Sequence, residues 1–351
     1  MLIQKVEKVL SKQATKAKTL QFAMSIPDHG INYSYSNTTH NQRFHSASVG
    51  KLMTSTLIFM AVEKGLLSLD TRVHTIFERG MLDKLFVFEG HDYQDEITIK
   101  HLLGHTSGMN DYFESKTFDG SLFIDDVLSN PDIFWKPVDV LDFTRNRQSA
   151  VAIPGTKFFY SDTGYILLGI VLETVFGMPY HQVLETYLFR PADMRETTLC
   201  YYGEAFDKNA LAPLYINGVD VHLFKSLSCD FSGGGLSTTA EDLVKFLEYF
   251  HEGSFITQQS ISQMLQFDNR FQQGLYYGLG MMQVRFSEFF FLLKMLPKLQ
   301  GHLGVTGVHA WYDPASKASF VLNVGSTKDI AMSFRLLISI LQIVYRELSK
   351  S

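Results

Sequence analysis

The chain has 351 residues, 46% of them apolar and 19% charged, which is ordinary for a globular protein with a sizeable core. A formal net charge of −5, with no long block of like charge, gives no electrostatic reason to expect a nucleic-acid partner. Cys200 and Cys229 are too few for a disulfide framework and read as buried free thiols.

The N-terminal segment is lysine-rich (Lys5, Lys8, Lys12, Lys16, Lys18) and lacks an apolar signal core, so a cytoplasmic location is expected. Apolar positions Ile3, Val6, Val9 and Leu10 predict a helix over 3–14. Residues 20–26 and 31–36 read as two strands joined by a turn at Pro27–Gly30. A helix is expected over about 48–65, stopped by Gly65. Further helices are expected at 98–104, 138–146, 163–176 and 180–188. Strands return at 275–285, 306–312 and 318–325, and a helix over 329–348 closes the chain.

The run Phe289 to Leu293 reads first as a buried strand, with the lip of an acyl-binding cleft or a membrane-touching patch as alternatives. Neither this run nor Leu336 to Leu341 approaches the ~18 apolar residues of a spanning helix, so no transmembrane segment is expected. Strands near both ends with helices between predict an α/β fold. An antiparallel sheet drawn from both termini is flanked by helices, with a mainly helical region inserted. The expected unit is 1–351, with the α/β part at about 1–65 and 230–351 and the helical part at about 66–229.

Ser48-Val49-Gly50-Lys51 is the only S-x-x-K in the chain, and it opens an apolar helix. Residues three apart share a helical face, which sets the Lys51 amine beside the Ser48 hydroxyl. The helix start also places backbone N–H groups where an oxyanion would develop. The plainer reading of so short a pattern is an N-cap serine and a solvated lysine, and Ser46 would serve equally as the cap. Tyr160 precedes the helix expected at 163–176, where its phenol can accept or relay a proton if nearby cations lower its pKa, or simply sit in the core with its hydroxyl satisfied. Gly301-His302-Leu303-Gly304 precedes an extended run and can present backbone N–H groups to a carbonyl oxygen.

With these elements on the page, the chain resembles the serine β-lactamase and penicillin-binding-protein-like hydrolases, especially the branch of class C β-lactamases, D-alanyl-D-alanine carboxypeptidases and esterases. Ser48-x-x-Lys51 is similar to the first motif. Tyr160-Ser161-Asp162 resembles Tyr-x-Asn, and His302-Leu303-Gly304 resembles Lys-Thr-Gly. Leu102 to Gly108, Pro154-Gly155 and Gly234 to Thr239 leading into Asp242 match the texture of the family. The resemblance implies that Ser48 attacks an acyl carbonyl with help from Lys51 and Tyr160. It implies an oxyanion hole from the backbone N–H of Ser48 and Val305. It further implies a substrate site lined by Asp162, His302 and Gly304.

Two departures matter. Asp162 can only accept where an asparagine amide can donate, and pairing with Lys51 would oppose a base role for the lysine, whereas binding a substrate amine is open to it. His302 holds a carboxylate less firmly than lysine does. Both favour an ester or a D-amino-acid peptide or amide as substrate over a β-lactam. A β-lactamase proper and a slowly deacylating penicillin-binding or sensing protein stand as alternatives, and a non-catalytic relative is disfavoured by the intact Ser48, Lys51 and Tyr160.

No cofactor is expected. Gly233-Gly234-Gly235 lacks the lysine of a phosphate loop. No metal is expected either, because His101 and His105 lack the glutamate of a zinc helix, position 102 being leucine. The expected partner is a small molecule or short peptide.

Overall fold

The computed structural model describes residues 2–39 and 42–350; Met1 and Ser351, the ends of the expected unit, lie outside them. An eight-stranded, wholly antiparallel sheet dominates the fold. In chain order its strands are β1 (Gln21–Ile26), β2 (Ile31–Ser36), β3 (Asn269–Gln272), β4 (Leu275–Tyr277), β5 (Met282–Val284), β6 (Leu299–Gly304), β7 (Val308–Asp313) and β8 (Ala318–Asn323). Their spatial order is β3-β4-β5-β6-β7-β8-β1-β2, so the two ends of the chain meet where Gln21 pairs with Asn323 and Ser25 with Ser319.

Successive side chains of a strand point to opposite faces, and both faces here are buried. Phe22, Met24, Phe320, Leu322 and Trp311 join one core with the terminal helices α1 (Leu2–Ala14) and α5 (Ile330–Leu348). Ala23, Ala310 and Val321 join the other with α2 (Lys51–Glu63), α3 (Asp162–Phe176) and α4 (Ala240–Glu252). Because both faces are covered, β1, β7 and β8 are buried at every position. This sheet from both termini, with helices on its faces and shorter helices at Ile99–Leu103, Phe123–Ser129 and Pro137–Arg147 between, is the α/β architecture expected.

The departures are local. The strand expected over 275–285 is two strands, because Gly280 turns the chain with φ +87° and Gly278 N–H donates to Met281 O (2.8 Å). The strand expected from 306 starts at Val308; Gly301 to Gly304 belong to a strand of their own, β6, which a tight turn at Gly307 joins to β7. Residues 289–293 form no strand but parts of two short helical turns, Phe286–Phe289 and Phe291–Met295. The helix α4 had not been expected, although Thr239 caps it by accepting from Asp242 N–H (3.2 Å) and Gly253 stops it with φ +82°.

Candidate active site

The turn that carries Ser48 is built by its neighbours. Phe44–His45 pairs with Leu236–Thr238, which lays the incoming chain against the glycine-rich stretch. Ser46 is wholly buried: its Oγ donates to Gly234 O (2.7 Å) and its N–H to Leu236 O (2.8 Å). Neither Ser46 nor Ser48 caps a helix, since Ala47–Gly50 is a 3₁₀ turn feeding directly into α2 without a side-chain cap. Ala47 sits in the left-handed region (φ +46°), an unfavoured conformation for a residue with a Cβ. A Cβ on Gly234 would stand 2.3 Å from Ala47 O, so only glycine allows the approach.

Lys51 opens α2 and is fully buried. Its Nζ lies 3.1 Å from Ser48 Oγ and also contacts Asp162 Oδ1 and Gly233 O. The carbonyl can only accept, and so can the carboxylate while it is ionised. Two N–H bonds of the amine are thereby committed, and its remaining position faces the serine hydroxyl. Gly233 thus belongs to the site through its carbonyl rather than through any phosphate-loop role.

Asp162 is the first residue of α3, and its N–H donates to Asp111 Oδ1 (2.8 Å). Ser161 caps α3 by accepting from Gly164 N–H (3.3 Å) and donates its own hydroxyl to Asn110 O (2.8 Å). Tyr160, immediately before, packs its ring on His105 (4.3 Å between centroids), with the Lys51 Nζ 5.2 Å from the ring centre. Burial and the Asp162 charge push the Tyr160 phenol well above its usual value, and a hydrogen bond with Ser48 opposes that only in part. The condition under which Tyr160 would accept a proton, neighbouring cations that lower its pKa, is therefore not met, and the phenol favours its protonated form.

His105 organises this corner. Its Nδ1 accepts from Ser161 N–H (3.0 Å), which places the ring proton on Nε2, and burial holds it neutral. Residues 105–108 then take up the segment that carries Tyr160: Phe159 N–H donates to His105 O (2.8 Å), Gly155 N–H to Thr106 O (2.7 Å) and Val151 N–H to Gly108 O (2.8 Å). His101 instead accepts from Thr98 N–H in a helix-capping box (3.3 Å).

At β6 one expectation changes. Val305 lines the same pocket as Ser48, Tyr160, Asp162 and Gly233. A Cβ on Gly304 would meet Ala47 Cβ at 2.8 Å, so this glycine lets the β6 end close on the Ser48 turn. Among the described residues, no hydrogen-bond partner is found for the N–H of Ser48 or of Val305. His302, however, is fully buried and does not line the pocket. Its Nδ1–H donates to Leu303 O (2.8 Å) and its Nε2 meets the Tyr277 hydroxyl (3.3 Å). Burial, with the Lys51 charge, holds its pKa at about 3. Its expected place on the substrate is corrected to one within the core behind the site.

Three further carboxylates, none of them foreseen, surround Asp162. Asp111 is buried and accepts from Asp162 N–H and Glu114 N–H (2.8 and 2.6 Å); burial and the Asp162 charge push its pKa up to about 8. Asp230 lines the pocket, with His45 Nε2 3.4 Å from its Oδ2, and burial raises it. Glu114 stands at the pocket mouth, raised by its surroundings and by the Asp162 charge. Nothing in the spacing of these residues announces them, because Asp230 comes from a part of the chain remote from the loop that carries Asp111 and Glu114. Among the described residues, no group of three or more His, Cys, Asp or Glu side chains suits a metal ion.

Known proteins place this geometry in a family context. The family model described as Beta-lactamase matches residues 19–342. Penicillin-binding protein 4* of Bacillus subtilis (strain 168) is 28% identical over 233 residues, covering 63% of this chain and 47% of that protein. The chain spans about half the length of the curated relatives it matches. Among solved structures, the D-amino acid amidase from Ochrobactrum anthropi SV3 complexed with D-phenylalanine superposes with a TM-score of 0.81 at 20% identity, covering 99% of both chains. An octameric penicillin-binding protein homologue from Pyrococcus abyssi gives 0.74 at 26% identity, covering 96% of this chain and 77% of that one.

Proposed function

The chain belongs to the Beta-lactamase family, and from that premise we propose that it is a serine hydrolase acting through an acyl-enzyme on an ester or amide of a D-amino acid. The observation that carries this reading is the Lys51 amine, committed at two positions to Asp162 and Gly233 O and facing Ser48 Oγ at 3.1 Å with the third.

The ion pair with Asp162 favours the charged lysine and so opposes a base role; it is the neutral form of Lys51 that takes the Ser48 proton as Oγ attacks the carbonyl carbon. The charge that develops on the carbonyl oxygen lies between the N–H groups of Ser48 and Val305, for which no other partner is found among the described residues. Tyr160, which keeps its proton, gives it to the leaving amine or alkoxide as the scissile bond breaks, and Lys51 returns a proton to the phenol. Water then attacks the ester, giving one proton to the same relay, and the Ser48 hydroxyl re-forms as the acid departs.

Charge at the mouth favours a substrate amine over a carboxylate. Among the described residues, Glu114, Asp162 and Asp230 line the pocket and no arginine does, Lys51 is the one buried lysine and is already committed, and His302 is neutral and buried behind the pocket. A free ammonium on the acyl side finds acceptors there, whereas a terminal carboxylate finds repulsion. The D-amino acid amidase from Ochrobactrum anthropi, complexed with D-phenylalanine and similar in fold, supports the same class.

The test compares D-alanine amide and D-alanine p-nitrophenyl ester with their N-acetylated forms. We expect kcat/KM to be about tenfold or more higher for the free amines, and Glu114→Gln to erase most of that gap. Equal rates for both forms would remove the amine reading. Full turnover by Ser48→Ala would remove the serine reading.

A further inference from the structure

Other large apolar side chains that are exposed among the described residues occur singly or in pairs along the chain. Phe290, Phe291, Leu292 and Met295 do not: they are 52, 68, 59 and 82% exposed within six consecutive residues. The rings of Phe290 and Phe291 meet edge to face at 5.2 Å and form one knob. Leu293 and Leu296 point inward and anchor it to the core beneath the terminal helices. Beside it runs a groove of about 1160 Å³ between the knob and the C-terminal half of α5, lined by Leu292, Met295, Ile343 and Arg346 among others.

The knob itself carries net positive charge, although Asp28 lines the groove and Glu288, paired with Arg285, precedes the knob. Residues 289–300 carry Lys294 and Lys298 and no acidic side chain. Arg346 lines the groove together with Asp28, in a protein whose net charge is −5. An apolar knob with cations beside it suits the boundary between anionic headgroups and acyl chains. A symmetric dimer through the knob would bring Lys294 and Lys298 towards their own copies, an arrangement that like charge opposes.

We propose that this knob docks the protein on an anionic membrane surface. Phe290, Phe291, Leu292 and Met295 enter the headgroup–acyl boundary, while Lys294 and Lys298 pair with lipid phosphates. Among the described residues, no single helix is long and apolar enough to cross a membrane, and the proposed contact is a peripheral one. The knob and groove share no residue with the Ser48 pocket, which leaves that site free of the surface contact.

Flotation with vesicles of phosphatidylcholine plus phosphatidylglycerol, against phosphatidylcholine alone, tests this. The full chain is expected to float with the anionic vesicles and to be released by salt. Phe290→Ser/Phe291→Ser/Leu292→Ser is expected to lower the partition coefficient by about tenfold or more. Lys294→Glu/Lys298→Glu is expected to abolish the preference for anionic lipid. Both variants change exposed side chains, and unchanged thermal melting by circular dichroism shows that they fold. Absence of vesicle binding by the wild-type chain overturns the proposal, as does undiminished binding by both variants. A concentration-dependent dimer that the serine variant dissolves, without any vesicle binding, assigns the knob to self-association and overturns it equally.

Discussion

Ser48 and Lys51 stand one turn apart, but spacing alone does not make a serine reactive. What distinguishes this pair is that Lys51 is fully buried, with acceptors at Asp162 and Gly233 O directing its free position at the hydroxyl. Breaking a buried ion pair from one side strands the other charge, at about 3–5 kcal/mol, whereas removing both partners together is far milder. Asp162→Leu should therefore destabilise strongly, and Lys51→Met/Asp162→Leu should recover much of the loss in a urea-denaturation cycle. Additive effects would contradict the pairing. Glu114 supplies a second test at this scale. Its folded carboxyl lies above the ordinary range, so it ionises late as pH rises. KM for a free-amine substrate should fall as pH climbs through that range, and Glu114→Gln should flatten the profile.

At the scale of elements, two stretches act as clamps. Residues 105–108 hold the segment that presents Tyr160, and Gly233 to Leu236 hold the turn that presents Ser48. Gly234→Ala would push a methyl to 2.3 Å from Ala47 O, in backbone that cannot move aside without displacing Ser48. We expect a loss of about 2 kcal/mol or more, together with slower acylation of Ser48, read by denaturation and by active-site titration. Wild-type acylation by this variant would contradict the clamp. These two stretches also show what could be read from the chain alone. Their glycines, prolines and short motifs were visible, and so were the helices whose apolar period runs uninterrupted, such as α1, α3 and α5. The hairpin of β6 and β7 was less legible, because Gly301 and Gly304 interrupt the alternation that marks a strand. The carboxylates Asp111, Glu114 and Asp230 were not legible at all, since only tertiary folding brings the loop of Asp111 and Glu114 and the remote Asp230 around Asp162. His302 misled for the complementary reason: its motif position suggested a substrate contact, while its burial behind Tyr277 emerges only from the packed sheet.

The whole molecule buries histidines that remain neutral. His251, His302 and His309 are each held at about 3 by burial, and His45 and His105 are lowered as well. Their folded pKa values lie below the unfolded value of about 6.5, so the stability they contribute is present above that pH and is lost as pH falls towards 3. Each contributes a slope of up to about 1.4 kcal/mol per pH unit in that window. The melting temperature should thus fall steeply between about pH 6 and 4, and His251→Phe, remote from the Ser48 pocket and stacked on Tyr312, should soften the fall. A melting temperature flat across that range would show that these rings protonate without unfolding.

All of this converges on one hydroxyl. Acid-quenched peptide mass spectrometry after brief exposure to D-alanine p-nitrophenyl ester measures it directly. The predicted result is a D-alanyl ester on the peptide containing Ser48, transient in the wild type, absent in Ser48→Ala and slow to form in Lys51→Met. Acylation at another residue, or turnover with no adduct and undiminished rate in Ser48→Ala, would contradict the account.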